Sequence, residues 1–345
     1  MERKSLRDIS WQVDEKTYRA DKTLSYSTLA RYEREGFNNL NKLFDRIESP
    51  SLVFGSVVDT LITGSDKEFN ELFMVAQLDN PISDTLVTIT KKLFDTWKDG
   101  FTNIKDIPDN SIISTIEDIS WNNHWLPKTR AKKIKEDCAG YYKLLYLADN
   151  KTIISSYVYQ DALNVVDKLK SSLATKFYFE EDNPFDDNIE RLYQLKFKAT
   201  FDNIDYRCMA DLLVVVHDKK LVVPVDLKTS SKPEWDFYKS FIDWRYDVQS
   251  RLYWKIIRAN MDKDSYFKDF KLADYRFIVA NKKSLTPLVW VFDKTQCLTD
   301  IVTKGNLILR HPFEIGKELK YYLDNRPNVP NGIELIKPNK IDDWI

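Results

Sequence analysis

The spacing of apolar residues changes character along this chain. From about residue 65 to residue 175, apolar and polar positions recur with the period of amphipathic helices. From about residue 190 onward the pattern changes to alternation and short apolar runs, which is typical of strands in a buried sheet. The pattern therefore predicts a helical block followed by a region that contains a sheet.

Individual elements can be predicted in both regions. The segment 24–44 predicts a helix with Ser27 as its N-cap, and 51–64 predicts a short apolar helix. Strands are predicted at 191–201, 206–216, 220–228, 274–281 and 287–293, with one long helix at 235–260. Helices that flank a central mixed sheet make an α/β fold.

Composition narrows the class of protein. The chain has 43% hydrophobic residues, 30% charged residues and a formal net charge of −1, which argues against a protein that coats nucleic acid non-specifically. Its three cysteines provide neither a disulfide framework nor a four-thiolate cluster site. No apolar run approaches the roughly 18 residues that span a bilayer, and the charged start resembles no secretory signal. We therefore expect a cytoplasmic protein without a membrane segment.

The most informative stretch is the hairpin around the turn at 217–220. Antiparallel pairing centred on that turn matches Leu213 with Pro224 and places Asp211 opposite Asp226, with Cβ atoms roughly 4.5–5.5 Å apart. Because side chains alternate along a strand, Lys228 lies on the same face as Asp226. The sequence therefore predicts two acids and a lysine together at the end of two apolar strands.

Two carboxylates at this spacing need a neighbouring positive charge. At about 4 Å they repel by about 4 kcal/mol at the effective dielectric of a protein surface. A divalent cation with oxygen ligands offsets that repulsion, and Mg²⁺ is usually held by one or two carboxylates together with substrate phosphate. The alternative is a solvated sheet edge at which Lys228 forms an ordinary salt bridge.

These residues resemble the motif of the PD-(D/E)XK nuclease superfamily. Asp211 is followed by Asp226, Leu227 and Lys228 in the motif order, with Ala210 where the signature proline stands. Further segments resemble the RecB-like and RecE-like exonuclease branch. They are the 24–33 helix, the 54–64 helix, and Gln249 and Tyr253 one turn apart on the helix after the lysine. The likeness covers about residues 24–64 and 190–293.

Two positions depart from that family's pattern. Asp59 stands where the family has a metal-ligating histidine, and a carboxylate is a harder ligand that suits Mg²⁺ or Mn²⁺. The acid that usually precedes the first motif aspartate falls at Gln194, or at Glu190 if the alignment slips. A glutamine in that place weakens one ligand.

The resemblance implies a restriction-endonuclease-like α/β core with a large helical insertion. The expected parts of this single nuclease domain are motif helices at 24–64, an insertion at 65–175, a catalytic core at 190–300 and a C-terminal extension at 301–345. It also implies a Mg²⁺- or Mn²⁺-dependent exodeoxyribonuclease that acts on DNA ends in recombination, for example in a phage, or in DNA end processing. A single-strand annealing protein is the expected partner, and a homo-oligomer the expected assembly.

The resemblance also assigns roles to residues. The metal would be held by Asp211, Asp226, the Leu227 carbonyl and Asp59, while Lys228 would stabilise charge on the phosphate. Gln249 and Tyr253 would orient Lys228 or a DNA phosphate; without the resemblance they would simply border the core.

Other interpretations stay open. On another face of the same predicted helix, Arg251, Lys255 and Arg258 form a basic stripe that is either a DNA phosphate track or a solvated surface. The competing functions are a catalytically silent DNA-binding module and a structure-specific or sequence-specific endonuclease.

Overall fold

The computed structural model describes residues 3–45, 47, 49–76, 82–180, 188–303 and 307–325. The chain forms two compact units. The sheet unit comprises Met1–Gly55 and Asp167–Ile345, and the helical unit comprises Ser56–Val166. The insertion predicted at 65–175 overlaps the helical unit, which begins and ends nine residues earlier (56 against 65, 166 against 175).

The N-terminal part of the chain contains three helices, α1 (Glu15–Ala20), α2 (Tyr26–Glu35) and α3 (Pro50–Thr63). The N-cap of α2 is Ser25, not Ser27 as predicted, and the Ser25 amide donates to the Thr28 hydroxyl at 3.4 Å. The helix ends at Gly36, whose φ of 61° favours glycine, so it is shorter than the predicted 24–44. A 3₁₀ helix continues to Lys42.

The helical unit is built on a core of its own. Its elements are the rest of α3, α4 (Asp66–Leu72), β1 (Phe73–Ala76), α5 (Asp84–Trp97), α6 (Asp109–Thr115), α7 (Pro127–Ala148), β2 (Thr152–Ser155) and the first part of α8 (Ser156–Ser171). Ile89 and Leu93 of α5 pack with Ile134 and Tyr142 of α7. The parallel pair β1–β2 was not predicted, because four residues are too few to show alternation.

A mixed sheet forms the centre of the sheet unit. The further elements of the sheet unit are α9 (Lys176–Phe179), β3 (Ile189–Phe201), β4 (Ile204–Val216), β5 (Leu221–Thr229), α10 (Phe237–Asp243), α11 (Tyr246–Lys263), β6 (Lys271–Leu272), β7 (Tyr275–Ala280), β8 (Leu288–Phe292), β9 (Ile301–Val302), β10 (Ile308–Leu309) and α12 (Pro312–Asp324). The strand order is β3-β4-β5-β7-β8, with β6 paired to β5 beside this path; β6 and β7 run parallel to β5, and the other pairs are antiparallel. The prediction of an α/β fold with a central mixed sheet flanked by helices is confirmed.

Three helices cover one face of this sheet. The buried residues that join them to the sheet are Leu29 of α2, Val248, Leu252 and Ile256 of α11, and Ile315 and Leu319 of α12, which pack with Leu213, Val215 and Val279. Helix α12 is therefore part of the core, although the sequence placed it in a C-terminal extension at 301–345. Residues 326–345 of that extension lie outside the described residues. In the described ranges no helix is both long and apolar enough to cross a membrane.

The long helix predicted at 235–260 is broken in two. Helix α10 ends at Asp243 and α11 begins at Tyr246, with Arg245 between them in a left-handed conformation at φ 54°. The Arg245 guanidinium donates to Asp247 in α11 and to Glu33 in α2. The contact with Glu33 spans more than 200 residues of sequence, which is why local pattern did not reveal the break.

Helix α12 approaches β4 through a glycine. A Cβ atom added at Gly316 would overlap the Tyr206 hydroxyl and lie 2.9 Å from Tyr206 Cζ. We expect Gly316→Ala to lower the free energy of unfolding by about 1–2 kcal/mol, because the overlap outweighs the better helix propensity of alanine. Chemical denaturation measures the change.

A second substitution, Tyr206→Phe, tests whether the overlap with the Tyr206 hydroxyl causes this loss of stability. The Tyr206 hydroxyl is buried and has no hydrogen-bond partner among the described residues, so Tyr206→Phe removes the clashing atom without breaking a contact. The cost of Gly316→Ala should therefore fall in the Tyr206→Phe background. An equal cost in both backgrounds would contradict this account of the packing.

Candidate active site

The two acids of the hairpin come together as the sequence predicted. Strands β4 and β5 pair Val216 with Leu221 and Leu213 with Pro224, in the predicted register. One further step of this register places Asp211 opposite Asp226. The Leu227 amide donates to Asp211 Oδ2 at 3.0 Å, so the Asp211 side chain reaches across to the backbone of β5.

The acids lie at a fork between strands. The paired positions of β4 and β5 end at Leu212 and Val225 in this part of the described chain, while β5 stays paired with β7 from Val225 to Thr229. Beyond the fork, β4 stays paired with β3. The polar residues of the site therefore lie just beyond the last paired apolar positions of the hairpin, Leu212 and Val225.

Asp226 is the most enclosed acid of the site. It is fully buried, and Gln249 of α11 donates its Nε2 to Asp226 Oδ1 at 2.5 Å. The other oxygen, Oδ2, lies 2.7 Å from Lys228 Nζ, but this ion pair lacks the alignment of a hydrogen bond, and Oδ2 accepts none from the described residues. A buried carboxylate oxygen without a hydrogen bond is a donor atom that suits a cation.

Lys228 is held between a carboxylate and an aromatic ring. Its Nζ lies 4.6 Å from the centre of the Tyr246 ring, and Tyr246 stacks on Phe237 at 5.6 Å with an interplanar angle of 16°. Burial is the largest single influence and acts to lower the pKa of Lys228, but Asp226, Tyr246, Asp211 and Tyr26 together outweigh it and raise the pKa above its ordinary value. Lys228 is therefore protonated at neutral pH.

Two tyrosines of the site were missed by sequence reasoning. Tyr246 begins α11, and its ring centre lies 6.1 Å from that of Tyr26 at the start of α2. The Tyr26 hydroxyl donates to the Trp244 carbonyl at 2.8 Å, which ties α2 to the break between α10 and α11. The sequence signal that could have identified Tyr246 is its spacing from Gln249, because residues at i and i+3 share a helical face.

The two predicted residues of α11 have different surroundings. Gln249 was expected to orient Lys228 or a DNA phosphate, but its side-chain amide donates to Asp226, so it fixes the carboxylate. Tyr253 is buried, with its ring 6.5 Å from that of Tyr275. Burial raises the pKa of the Tyr253 phenol well above its usual value, and the two acids add to the effect. A catalytic role for Tyr253 stays a prediction.

The structure decides between the two positions proposed for a preceding acid. On β3, Tyr193 pairs with Leu212 and Leu195 with Ala210, so Gln194 is the residue opposite Asp211. Gln194 has a left-handed φ of 55°, a conformation that costs a non-glycine residue about 1–2 kcal/mol.

Glu190 is not part of this site. It pairs with Val215, four residues along β3 from Gln194 or roughly 13 Å at strand rise. It accepts a hydrogen bond from Ser5 Oγ and lies 3.8 Å from His217 Nε2. The alternative placement of a ligand at Glu190 is therefore wrong.

The residues present suit a small metal site. The described residues include no group of three or more His, Cys, Asp and Glu side chains placed to hold a metal. Asp211 and Asp226 nevertheless provide two carboxylates beside the Leu227 backbone, and Mg²⁺ needs one or two together with substrate phosphate and water. Asp59 belongs to the helical unit, and its role as a ligand stays a prediction, as does that of the Leu227 carbonyl.

The predicted basic stripe on α11 does not form a surface track. Arg251 is fully buried and donates to the carbonyls of Leu309 and Arg310 at 3.1 and 3.3 Å. Arg258 donates to the Phe270 carbonyl at 2.6 Å and pairs with Asp262. The prediction is wrong for Arg251, because a buried guanidinium cannot reach DNA; Lys255 is half-buried.

Comparisons with known proteins give distant structural likenesses. No protein-family model matches the chain, and no curated protein matches it. A solved structure from Eubacterium rectale, described as a "Putative exonuclease", is 13% identical, covering 93% of this chain and 88% of that chain with a TM-score of 0.42.

Proposed function

We propose that this protein is a metal-dependent nuclease that hydrolyses DNA phosphodiester bonds from strand ends. The observation that carries the proposal is the meeting of Asp211, Asp226 and Lys228 at the fork between β4 and β5. Two carboxylates and a protonated lysine on one face provide sites for a cation and for a phosphate. The resemblance to the RecE-like branch supports the finer assignment to an exonuclease.

The acids would hold the metal. Asp226 would offer Oδ2, which carries no hydrogen bond, and Asp211 would offer its carboxylate, which the Leu227 amide already orients. Bound Mg²⁺ or Mn²⁺ would act as a Lewis acid on the phosphoryl oxygen and lower the pKa of a bound water. Gln249 would keep the Asp226 carboxylate in one orientation.

Lys228 would bind the phosphate. A cation on Asp226 competes with the Lys228 ion pair, which leaves the ammonium group to a negatively charged phosphate. Tyr246 limits where that group can go, because its ring lies under Nζ and is itself stacked on Phe237. The lysine is thereby positioned to stabilise charge that develops at the phosphate.

The experiment that tests the function compares three DNA substrates. Linear duplex, single-stranded DNA and covalently closed circular DNA, each labelled, are incubated with Mg²⁺, Mn²⁺ or EDTA. We expect metal-dependent loss of the linear substrates alone. Cutting of the closed circle would favour the endonuclease instead.

A catalytically silent DNA-binding module is the second candidate. The observation that favours it is Gln194 opposite Asp211, where a carboxylate would complete a third ligand. Binding of DNA without cleavage under any metal would establish it. Phage recombination, a single-strand annealing partner and a homo-oligomer rest on the resemblance alone.

Gln194 also offers a test of metal binding that does not depend on cleavage. Gln194→Glu places a third carboxylate beside Asp211, so in EDTA the melting temperature should fall by about 1–4 °C from repulsion between like charges. Added Mg²⁺ should raise the melting temperature more in this variant than in the wild type, since a better ligand set binds it more tightly.

The matched control is Gln160→Glu, at an exposed position of α8. It makes the same change of charge on an element of the helical unit, outside the strands that form the fork, and should leave the Mg²⁺ response unchanged. A response to Mg²⁺ that is equal in Gln194→Glu, Gln160→Glu and the wild type would contradict a cation site at Asp211.

A further inference from the structure

Three large aromatic side chains are exposed in the ten-residue stretch 235–244, which lies between β5 and α11. Trp235, Tyr238 and Trp244 are 57%, 54% and 50% exposed, and they lie on the short stretch that includes α10. Side chains of this kind bury large apolar areas when they pack. Rings that stay exposed are available to a ligand that can cover them.

Trp244 lies beside the candidate active site. Its carbonyl accepts a hydrogen bond from the Tyr26 hydroxyl at 2.8 Å. Two residues later, the ring of Tyr246 contacts the Lys228 ammonium. The exposed Arg34 of α2 lies 5.1 Å from the centre of the Trp244 ring. The Arg34 charge also acts on the pKa of Tyr26 and of Tyr246, although burial is the larger influence on both.

The chemistry of this surface combines rings with positive charge. Besides Arg34 over Trp244, the Lys239 ammonium lies 5.5 Å from the centre of the Tyr238 ring. A flat apolar ring with a cation at its side matches a nucleotide, in which a base adjoins a phosphate. Paired bases in a duplex keep their faces covered by neighbouring pairs, whereas unpaired bases present a face that can stack.

We propose that Trp244, with Arg34 beside it, is a stacking platform for an unpaired base of the DNA strand whose phosphate reaches Lys228. The inference rests on the proposed function and adds the substrate class, a single-stranded DNA end. Arg34 would contact a phosphate of the same strand, and the Trp244 ring would hold the neighbouring base.

Binding of a fluorescein-labelled oligothymidine in EDTA, followed by anisotropy, tests the platform without cleavage. Trp244→Ala should weaken binding by about 5- to 150-fold, the effect of one lost base stack, while Trp244→Phe should retain most of the affinity. The weakening should be similar at low and moderate salt, because stacking releases no counterions. Binding of a blunt duplex should change little.

The control is Tyr157→Ala, which removes an 80% exposed aromatic from the helical unit and should bind like the wild type. Wild-type affinity in Trp244→Ala would overturn the inference, and so would an equal loss of affinity for single strands and duplex. If Trp244 matters for binding but no DNA is cut with Mg²⁺ or Mn²⁺, the proposed nuclease function fails while the platform stands. Cleavage by the wild type together with unchanged binding in Trp244→Ala rejects the platform alone.

Discussion

Asp226→Asn should reduce the rate of metal-dependent DNA cleavage by roughly 1,000-fold, which corresponds to about 4 kcal/mol in the activation barrier. Asparagine keeps the size of the side chain and an oxygen for Gln249, so the change removes mainly the negative charge. That charge would hold the cation and balances Lys228 at 2.7 Å. The initial rate on linear DNA with Mg²⁺ measures the effect.

The matched control is Asp262→Asn on the same helix as Gln249. The Asp262 side chain is 59% exposed and pairs only with Arg258 in the described part of the sheet unit, so its rate should stay within about twofold of the wild type. Circular dichroism confirms that both variants are folded. Cleavage by a folded Asp226→Asn at the wild-type rate would mean that the fork is not the active site.

A second large effect is expected for Asp247→Ala, this time on stability. Asp247 is fully buried, with Arg245 Nε at 2.9 Å and Arg251 Nη2 at 3.9 Å from its carboxylate. Removing it leaves two guanidinium groups in a buried environment, which costs about 3–5 kcal/mol when one partner of a buried ion pair is lost. Chemical denaturation followed by circular dichroism measures the loss.

The expected loss of stability in Asp247→Ala depends on the burial of Asp247, so the control variant again changes an exposed acid. Asp262→Ala removes an acid from the solvent-exposed side of α11 and should change stability by less than about 1 kcal/mol. Arg251 is fully buried, and this burial lowers the pKa of its guanidinium. Equal effects of the two substitutions would contradict the view that Asp247 neutralises buried arginines.

The hairpin acids could be predicted because local pattern determines their pairing. The apolar runs at 212–216 and 221–225 and a four-residue turn fix the register, and a register fixes which side chains lie opposite each other. The same reasoning placed Gln249 on the correct face of its helix. It did not identify Asp226 as its partner, because that depends on how the helix docks onto the sheet.

The residues that sequence reasoning missed or misplaced depend on contacts between distant segments. Tyr246 reaches Lys228 only because the chain breaks at Arg245, which Glu33 of α2 helps to hold. Arg251 seemed exposed because it lies on a polar face of an isolated helix, but the backbone at Leu309 and Arg310 covers it. Gln194 has a backbone conformation that no local pattern signals.

The fork between β4 and β5 separates the apolar residues that pair these two strands from the polar residues of the candidate site. The apolar positions up to Leu212 and Val225 carry the pairing of the two strands, while Asp211, Asp226 and Lys228 follow after it. A substitution at one of these three side chains leaves the backbone bonds of the hairpin in place. In evolutionary terms, a single codon change at one of these positions removes a side chain of the proposed site while the residues that pair the two strands stay the same.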